Sequence, residues 1–589
     1  MEATRLFDCP YYQLEHFPKK DALASKADGK WTCISTQEYI DLANKISLGL
    51  LELGIQPGDK IAIISNNRPE WNIMDIGIGQ LGGIVCPVYP TVSENDYKFI
   101  FNDAEVRYIF VSDTEILAKV NAVKKDVPSL KGIYSFNKID GITHWSSLLE
   151  LGNKARMDEV KARMNAVAED DLATIIYTSG TTGNPKGAMI SHKNLMSNAK
   201  NCVERLPVGS DAKALSFLPL CHVYERMLTY LFQITGVSIY YAESMDTIGE
   251  NIREVKPDIF AAVPRLIEKV YDRIIAKGSE QKGIKKALFF WAVSLGLRFE
   301  LNGANGWWYE LQLKIANKLI FTKWREALGG NVKAIASGSA PLQPRLARVF
   351  MAAKIPVMEG YGLTETAVVV SVNCEKNNGV MFGSVGRAIK SVQVKIADDG
   401  EILIKSPSVM LGYYKRPDLT AEVIDKDGWF HTGDIGEIVN TDFLKITDRK
   451  KEIFKTSGGK YVAPQLLENK FKESKFIEQV MVIGEGKNFP AALVQPAFVF
   501  LKEWCERKGI AVTSNEDMIT KAEVIARIQE DIELYNQEFG KWEQVKKIEL
   551  VANEWSIKSG ELTPTLKLKR KFILEKYKVL VEKIYGKNS

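Results

Sequence analysis

Residues Tyr177-Thr178-Ser179-Gly180-Thr181-Thr182-Gly183-Asn184-Pro185-Lys186-Gly187 carry the clearest chemistry in the chain. Thr178, Ser179, Thr181 and Thr182 supply hydroxyl donors, and Lys186 supplies a positive charge. Gly180, Gly183 and Gly187 let the backbone approach a ligand and turn its N–H groups outward. Apolar runs at 172–177 and 187–190 flank the segment, so it reads as strand, loop, strand. Such a loop suits a polyphosphate. It is not a Walker A loop, which needs Gly directly before the Lys; Pro185 stands there. A bland surface turn rarely needs so long a run of small hydroxylated residues between two buried strands.

Further segments recur downstream, each readable without any special function. Ser337-Gly338-Ser339-Ala340-Pro341-Leu342 follows a strand expected at 332–335 and, taken alone, is a strand-to-helix turn. In Glu359-Gly360-Tyr361-Gly362-Leu363-Thr364-Glu365-Thr366 a tyrosine between two glycines can present its face to a base. Glu365, taken alone, is equally a helix N-terminal acid. Beside phosphates, its carboxylate makes sense chiefly with a divalent cation between them. Asp434, in Trp429-Phe430-His431-Thr432-Gly433-Asp434, fits an Asx-turn or bidentate acceptance from two hydroxyls. Asp448-Arg449-Lys450-Lys451-Glu452 is a charge run: a solvated face, or a hinge if it joins two folding units. Lys455 and Ser457-Gly458-Gly459-Lys460 follow as a polar loop, and Thr563 to Arg570 forms a basic tail. His222, in Leu218-Pro219-Leu220-Cys221-His222-Val223-Tyr224-Glu225-Arg226, is either a packed histidine or a group bordering a site.

In order and spacing these segments resemble the acyl-adenylate-forming superfamily of acyl-CoA synthetases, luciferases and peptide-synthetase adenylation domains, and the resemblance covers nearly the whole chain. It implies that Thr178, Ser179, Gly180, Thr181, Thr182, Gly183 and Lys186 cradle the phosphates of ATP. Gly338, Ser339 and Ala340 lie along adenine, Tyr361 stacks on it between Gly360 and Gly362, and Thr364 touches the α-phosphate. Glu365 and Thr178 hold Mg²⁺. Asp434 binds the ribose with Arg449 near it. Lys455, Gly458 and Gly459 border the path of coenzyme A. Thr563-Pro564-Thr565-Leu566-Lys567 resembles the catalytic-lysine segment, except that Leu566 replaces the usual Gly. This alignment selects Lys567, with Lys569 as runner-up. The His222 segment, the 271–330 region and the Leu before the Lys resemble the long-chain fatty acid–CoA ligase branch, which places His222 by the acyl carboxylate or at the gate of its pocket.

The implied reaction joins a long-chain fatty acid to coenzyme A through acyl-AMP, releasing AMP and pyrophosphate. The acid is already ionised at neutral pH, so attack on the α-phosphorus needs no base. The enzyme has to offset repulsion between anions and align the attack. Lys186, Glu365 with its metal, Lys567 and His222 are the catalytic candidates. A fatty acyl-AMP ligase loading a separate carrier protein, a medium-chain acyl-CoA synthetase and a non-catalytic nucleotide sensor are the alternatives.

Positioning groups so far apart requires several folding units. At 589 residues the chain exceeds a single core. Alternating strand and helix patterns at 35–130, 214–270 and 332–358 argue for a large α/β domain of mainly parallel sheets. Helices are expected at 36–53 and 70–82, and strands at 60–65, 84–87 and 108–112. Residues 271–330 read as a helical insertion. Its aromatic and lysine content allows core packing or peripheral membrane contact. Short strands at 392–396, 401–404 and 436–438 mark a small β subdomain. The expected division is an N-terminal domain over 1–447 and a smaller mobile α+β domain over 448–589, hinged at 448–450.

A net charge of +5 gives no reason to expect nucleic acid. Seven scattered cysteines suggest neither disulfides nor zinc and fit a reducing, cytoplasmic setting, with the inner face of a membrane as a peripheral location. No apolar h-region opens the chain, and no run reaches the ~18 residues a spanning helix needs. The resemblance to long-chain relatives also suggests a homodimer.

Overall fold

The computed structural model describes residues 2–178, 184–563 and 566–586. The chain forms two compact units: Met1–Val394 with Leu403–His431, and Lys395–Ile402 with Thr432–Ser589.

In the first unit one sheet carries Lys60–Ile64 at its centre, parallel to Ile84–Pro87 and Tyr108–Val111. Apart from Lys60 at the start of the first, these strands are apolar and buried along their length, the pattern of strands covered on both faces. Leu172–Thr178 pairs parallel with Ile84–Pro87 and antiparallel with Lys186–Ser191, which itself pairs with Gly412–Tyr413. The expected helix at 36–53 is Thr36–Glu52. Ser35 caps it: its Oγ accepts from Glu38 N at 3.2 Å, and the Glu38 carboxylate accepts from Ser35 N at 2.7 Å. Gly54, at φ +75°, ends it. The next helix, Pro69–Gln80, starts on a proline whose missing N–H costs nothing at that position.

A second sheet of the first unit runs parallel through Ser238–Tyr241, Lys213–Ser216, Ile259–Ala262, Ala334–Ser337 and Val357–Leu363. The strand expected at 332–335 is Ala334–Ser337, two residues further on, with Lys333 N donating to Asp258 O at 2.8 Å just before it. Beyond Leu23–Ala27 the sheet is extended by Lys30–Ile34 in a hairpin that the sequence reading did not include. Asp28 and Gly29 turn it, both at positive φ.

Buried charge links the two sheets. Arg226, 1% exposed, lies on the helix Val223–Thr235 and meets Asp75 of the helix Pro69–Gln80 at 2.5 Å. Its guanidinium also donates to Tyr230 Oη at 3.0 Å and Thr174 Oγ1 at 2.7 Å, and Tyr230 Oη donates to Asp75. Thr174 belongs to the strand Leu172–Thr178. The region 271–330 is helical: Pro264–Ser279, Gly283–Leu297, Trp307–Ala316, a π-turn at Asn317–Phe321, and Thr322–Ala327.

The second unit contains an antiparallel ladder between Phe430–Val439 and Phe443–Arg449, with Asp434 opposite Arg449. Ile477–Ile483 pairs antiparallel with Ala491–Pro496, which pairs parallel with Lys547–Leu550. Helices Pro464–Phe471, Phe498–Lys508 and Ala522–Asn536 contribute to the same core, as an α+β unit requires.

Candidate active site

The two strands expected on either side of the segment are Leu172–Thr178 and Lys186–Ser191, an antiparallel pair whose register sets Thr178 opposite Lys186. Ser179, Gly180, Thr181, Thr182 and Gly183 lie outside the described residues. The Lys186 ammonium sits 5.2 Å from the centre of the Tyr413 ring. Tyr413 Oη donates to Glu365 Oε1 at 2.9 Å. One tyrosine therefore bridges the two candidate site residues Lys186 and Glu365. Burial, and then the Glu365 charge, hold its hydroxyl far above the usual tyrosine range, so it stays a donor. Tyr413 carried no signal in the sequence beyond its neighbours.

The other two loops leave adjacent parallel strands. Ser339, at φ +71°, stands in the left-handed region, an unusual backbone for a non-glycine residue and one that turns the 337–342 loop sharply. A buried carboxylate ties that loop to the next strand: Glu359 Oε1 accepts from Leu342 N at 2.8 Å. Burial pushes the Glu359 carboxyl up to about 8. Gly362 has no room for a side chain, because an added Cβ would lie 1.5 Å from Val368 O. Thr364, Glu365 and Thr366 form a single turn after Leu363. Ala340 lies in the same loop as Gly338 and Ser339.

Gly338, Ser339, Gly360, Tyr361 and Gly362 border one cavity with about 830 Å³ of empty space, including its open mouth. Its other walls are largely apolar, among them Leu206, Met227, Leu228, Leu231, Met358 and Val369, with Arg205 and Asn373 as polar exceptions. Ser337 Oγ lines it and is buried without a hydrogen-bond partner. His222 borders the same cavity, caps the helix Val223–Thr235 and accepts from Tyr224 N at 3.1 Å through Nδ1. That bond fixes the ring with Nδ1 as acceptor. Glu225 is buried, with Oε2 unpartnered, and burial pushes its carboxyl up to about 8.

In the second unit Arg449 Nε lies 3.2 Å from Asp434 Oδ1. His431 and Thr432 lie in the strand Phe430–Val439 rather than in a free turn, although Thr432 Oγ1 still accepts from Asp434 N at 3.1 Å. Asp448 is buried and pushed up to about 7 by desolvation, while accepting from Gln465 N at 3.1 Å. Gly458 and Gly459 turn between Phe454–Lys455 and Tyr461–Val462, and Lys455 packs over the Tyr461 ring at 5.1 Å. Lys567 is exposed, its N–H donating to Thr563 Oγ1 at 3.0 Å. Lys569 is exposed two residues on. Leu566 stands at φ +61°, the left-handed conformation that glycine takes freely, so the leucine keeps the backbone usual for the residue it replaces.

Arg570, just beyond, anchors this segment. It reaches both oxygens of Glu468 at 2.6 Å, Glu452 Oε2 at 2.9 Å and Val482 O at 3.1 Å. No local signal around Arg570 points to these partners.

An α/β scaffold that brings the small-residue loop after Ala334–Ser337 and the glycine-bearing end of the strand Val357–Leu363 onto one largely apolar cavity has the form of a small-molecule site. The chain belongs to the AMP-binding enzyme family: the family's main domain matches residues 11–414, and its C-terminal domain matches residues 451–589. Among curated proteins it is 33% identical to a long-chain-fatty-acid–CoA ligase of Mycobacterium bovis, over 95% of this chain and 93% of that protein. It is also 33% identical to long-chain-fatty-acid–CoA ligase 1 of Cavia porcellus, over 95% of this chain and 83% of that one. Its fold is shared with an anthranilate CoA ligase bound to anthranoyl-AMP, at TM-score 0.74 and 18% identity over 99% of this chain and 100% of that one. ATP-bound MatB of Rhodopseudomonas palustris shares it too, at TM-score 0.73 and 22% identity over 98% and 100%.

Proposed function

We infer that this chain is an ATP-dependent long-chain fatty acid–CoA ligase working through an acyl-AMP intermediate. The observation that carries the reading is the joint cavity: nucleotide loops and an apolar pocket share one space, as joining AMP to a fatty acid demands. The near-full-length likeness to curated long-chain ligases supports it.

In this reading the ionised acid lies in the apolar cavity with its carboxylate toward His222. The hydroxyls of 178–182 and Lys186 bind the ATP phosphates, and Lys186 offsets charge as the carboxylate attacks. Ser337 Oγ and the 338–340 backbone meet the adenine, Tyr361 stacks on it, and Asp434 with Arg449 receives the ribose. The hard oxygens of Glu365 and Thr178 suit Mg²⁺, which keeps several waters and binds through one or two protein oxygens plus phosphates. Among the described residues no cluster of three or more acidic, His or Cys ligands exists, as such a site permits. Bound there, Mg²⁺ supplies charge neutralisation between the phosphates.

Lys567 serves the adenylation step. Hinge movement at 448–450 then replaces it with the Gly458-Gly459 face, along which coenzyme A reaches the acyl carbon. A long-chain acid is collected from a membrane, and we place that peripheral contact in the 271–330 helices. A homodimer is the further expectation.

Palmitate-dependent ATP–pyrophosphate exchange tests the first half-reaction. Exchange lost in Lys186→Met is expected; no exchange in the wild type would reduce the chain to a nucleotide sensor.

A further inference from the structure

The helical region 283–321 has two apolar sides. One faces the core: Phe289, Ala292, Val293, Tyr309, Leu313 and Ala316 are buried. Tyr309 Oη donates to Leu295 O at 2.6 Å and locks the two helices together. The other side faces outward. Of the 21 exposed large apolar side chains among the described residues, eight fall between 284 and 319, so they form a patch rather than scatter. Ile284 is 79% exposed, Trp307 78% and Trp308 60%. Trp307, Leu311, Ile315 and Leu319 recur at every fourth residue, which makes one stripe along the helix Trp307–Ala316 and the turn after it.

Lysines border the stripe. Lys314 and Lys318 are exposed on the same helical run, and Lys282, Lys285 and Lys286 are exposed at the start of its neighbour. Residues 282–323 hold seven Lys and Arg against two Glu, a net +5 equal to that of the whole chain. Paired tryptophans with aliphatic residues and a basic rim form the composition of a helix lying in a bilayer interface. Each lysine near an anionic leaflet adds on the order of 1 kcal/mol of attraction. No helix among the described residues is long and apolar enough to cross a membrane, so the contact is a surface one.

We propose that the outward face of Gly283–Leu297 and Trp307–Ala316, with Trp307, Trp308, Ile315 and Leu319 as inserting groups, docks on an anionic phospholipid bilayer. This deepens the functional reading by naming the surface and the lipid charge it needs, and it rests on that reading only for its purpose. The acyl cavity and the phosphate hairpin contribute none of these residues.

The test is flotation of the full chain with vesicles of phosphatidylcholine alone and of phosphatidylcholine with 30% phosphatidylglycerol, at low and high salt. The expected result is binding to the anionic vesicles, weakened by salt. Trp307→Ser with Trp308→Ser should lower the partition coefficient at least tenfold, and Lys285→Glu with Lys286→Glu should lower it on anionic vesicles only. Both variants should keep the wild-type melting temperature and octanoate activity. Failure of the wild type to float overturns the proposal, as does equal flotation of the tryptophan variant. A wild-type dimer in solution that the tryptophan variant converts to monomer would assign the face to a second copy instead, and also overturns it. Because flotation needs no turnover, its failure leaves the ligase reading untouched, and loss of ligase activity leaves flotation interpretable.

Discussion

Replacing Arg226 by Met tests how the first unit holds its two sheets in place. The guanidinium is 1% exposed and spans Asp75, Tyr230 and Thr174. Met fills similar volume but leaves the Asp75 carboxylate, itself 4% exposed, with only the Tyr230 hydroxyl. Removing one partner of a buried pair costs about 3–5 kcal/mol, since the stranded charge keeps its desolvation penalty. Unfolding entropy of ~2.1 cal/mol/K per residue converts this to a melting shift of about 3–6 °C for a cooperative unit of this size. Differential scanning calorimetry reads it directly. Asp75→Asn in the Arg226→Met background should recover most of the loss, because the stranded charge is gone. A single variant shifted by less than ~1 °C would refute the reasoning, as would a double variant no more stable than the single.

Lys186→Met is expected to lower adenylation kcat/KM by about 10²–10³ while leaving the melting temperature unchanged, measured by pyrophosphate exchange and calorimetry. Tyr413→Phe removes the donor on Glu365 Oε1, worth ~1 kcal/mol; half-maximal activity should then need about fivefold more Mg²⁺ in a metal titration. Lys567→Ala should abolish acyl-AMP formation yet retain thioester formation from synthetic acyl-AMP, whereas Lys569→Ala should leave both steps intact. Glu225 has its carboxyl pushed up to about 8, so between its unfolded value near 4.3 and about 8 the folded state holds a proton that the unfolded state has lost. Its contribution to stability therefore falls as pH rises through that window, and urea titrations of Glu225→Gln should show a shallower decline.

The strand pair Leu172–Thr178 and Lys186–Ser191 was legible because local signals agreed: two apolar runs flanking a stretch rich in glycine and hydroxyls. The Ser35–Glu38 capping box and the Pro69 start were equally local. The Arg226–Asp75 pair was not, since its members lie 151 residues apart and each alone looks like a surface charge. Glu359 and Arg570 hid for the same reason: their partners come from segments distant along the chain. The Leu23–Ala27 hairpin had its signal in Asp28-Gly29, but its strands mix lysine and small residues and show little alternation. At Leu566 the letters depart from the glycine pattern while the backbone keeps it, which sequence comparison alone reads as a difference.

The central claim is that one cavity joins AMP and a long acyl chain before coenzyme A arrives. AMP release with palmitate, ATP and Mg²⁺, run with and without coenzyme A beside octanoate and acetate, tests it most directly. The account predicts CoA-dependent turnover highest with palmitate. Pyrophosphate exchange without CoA-dependent AMP release, or acetate exceeding palmitate, would contradict it.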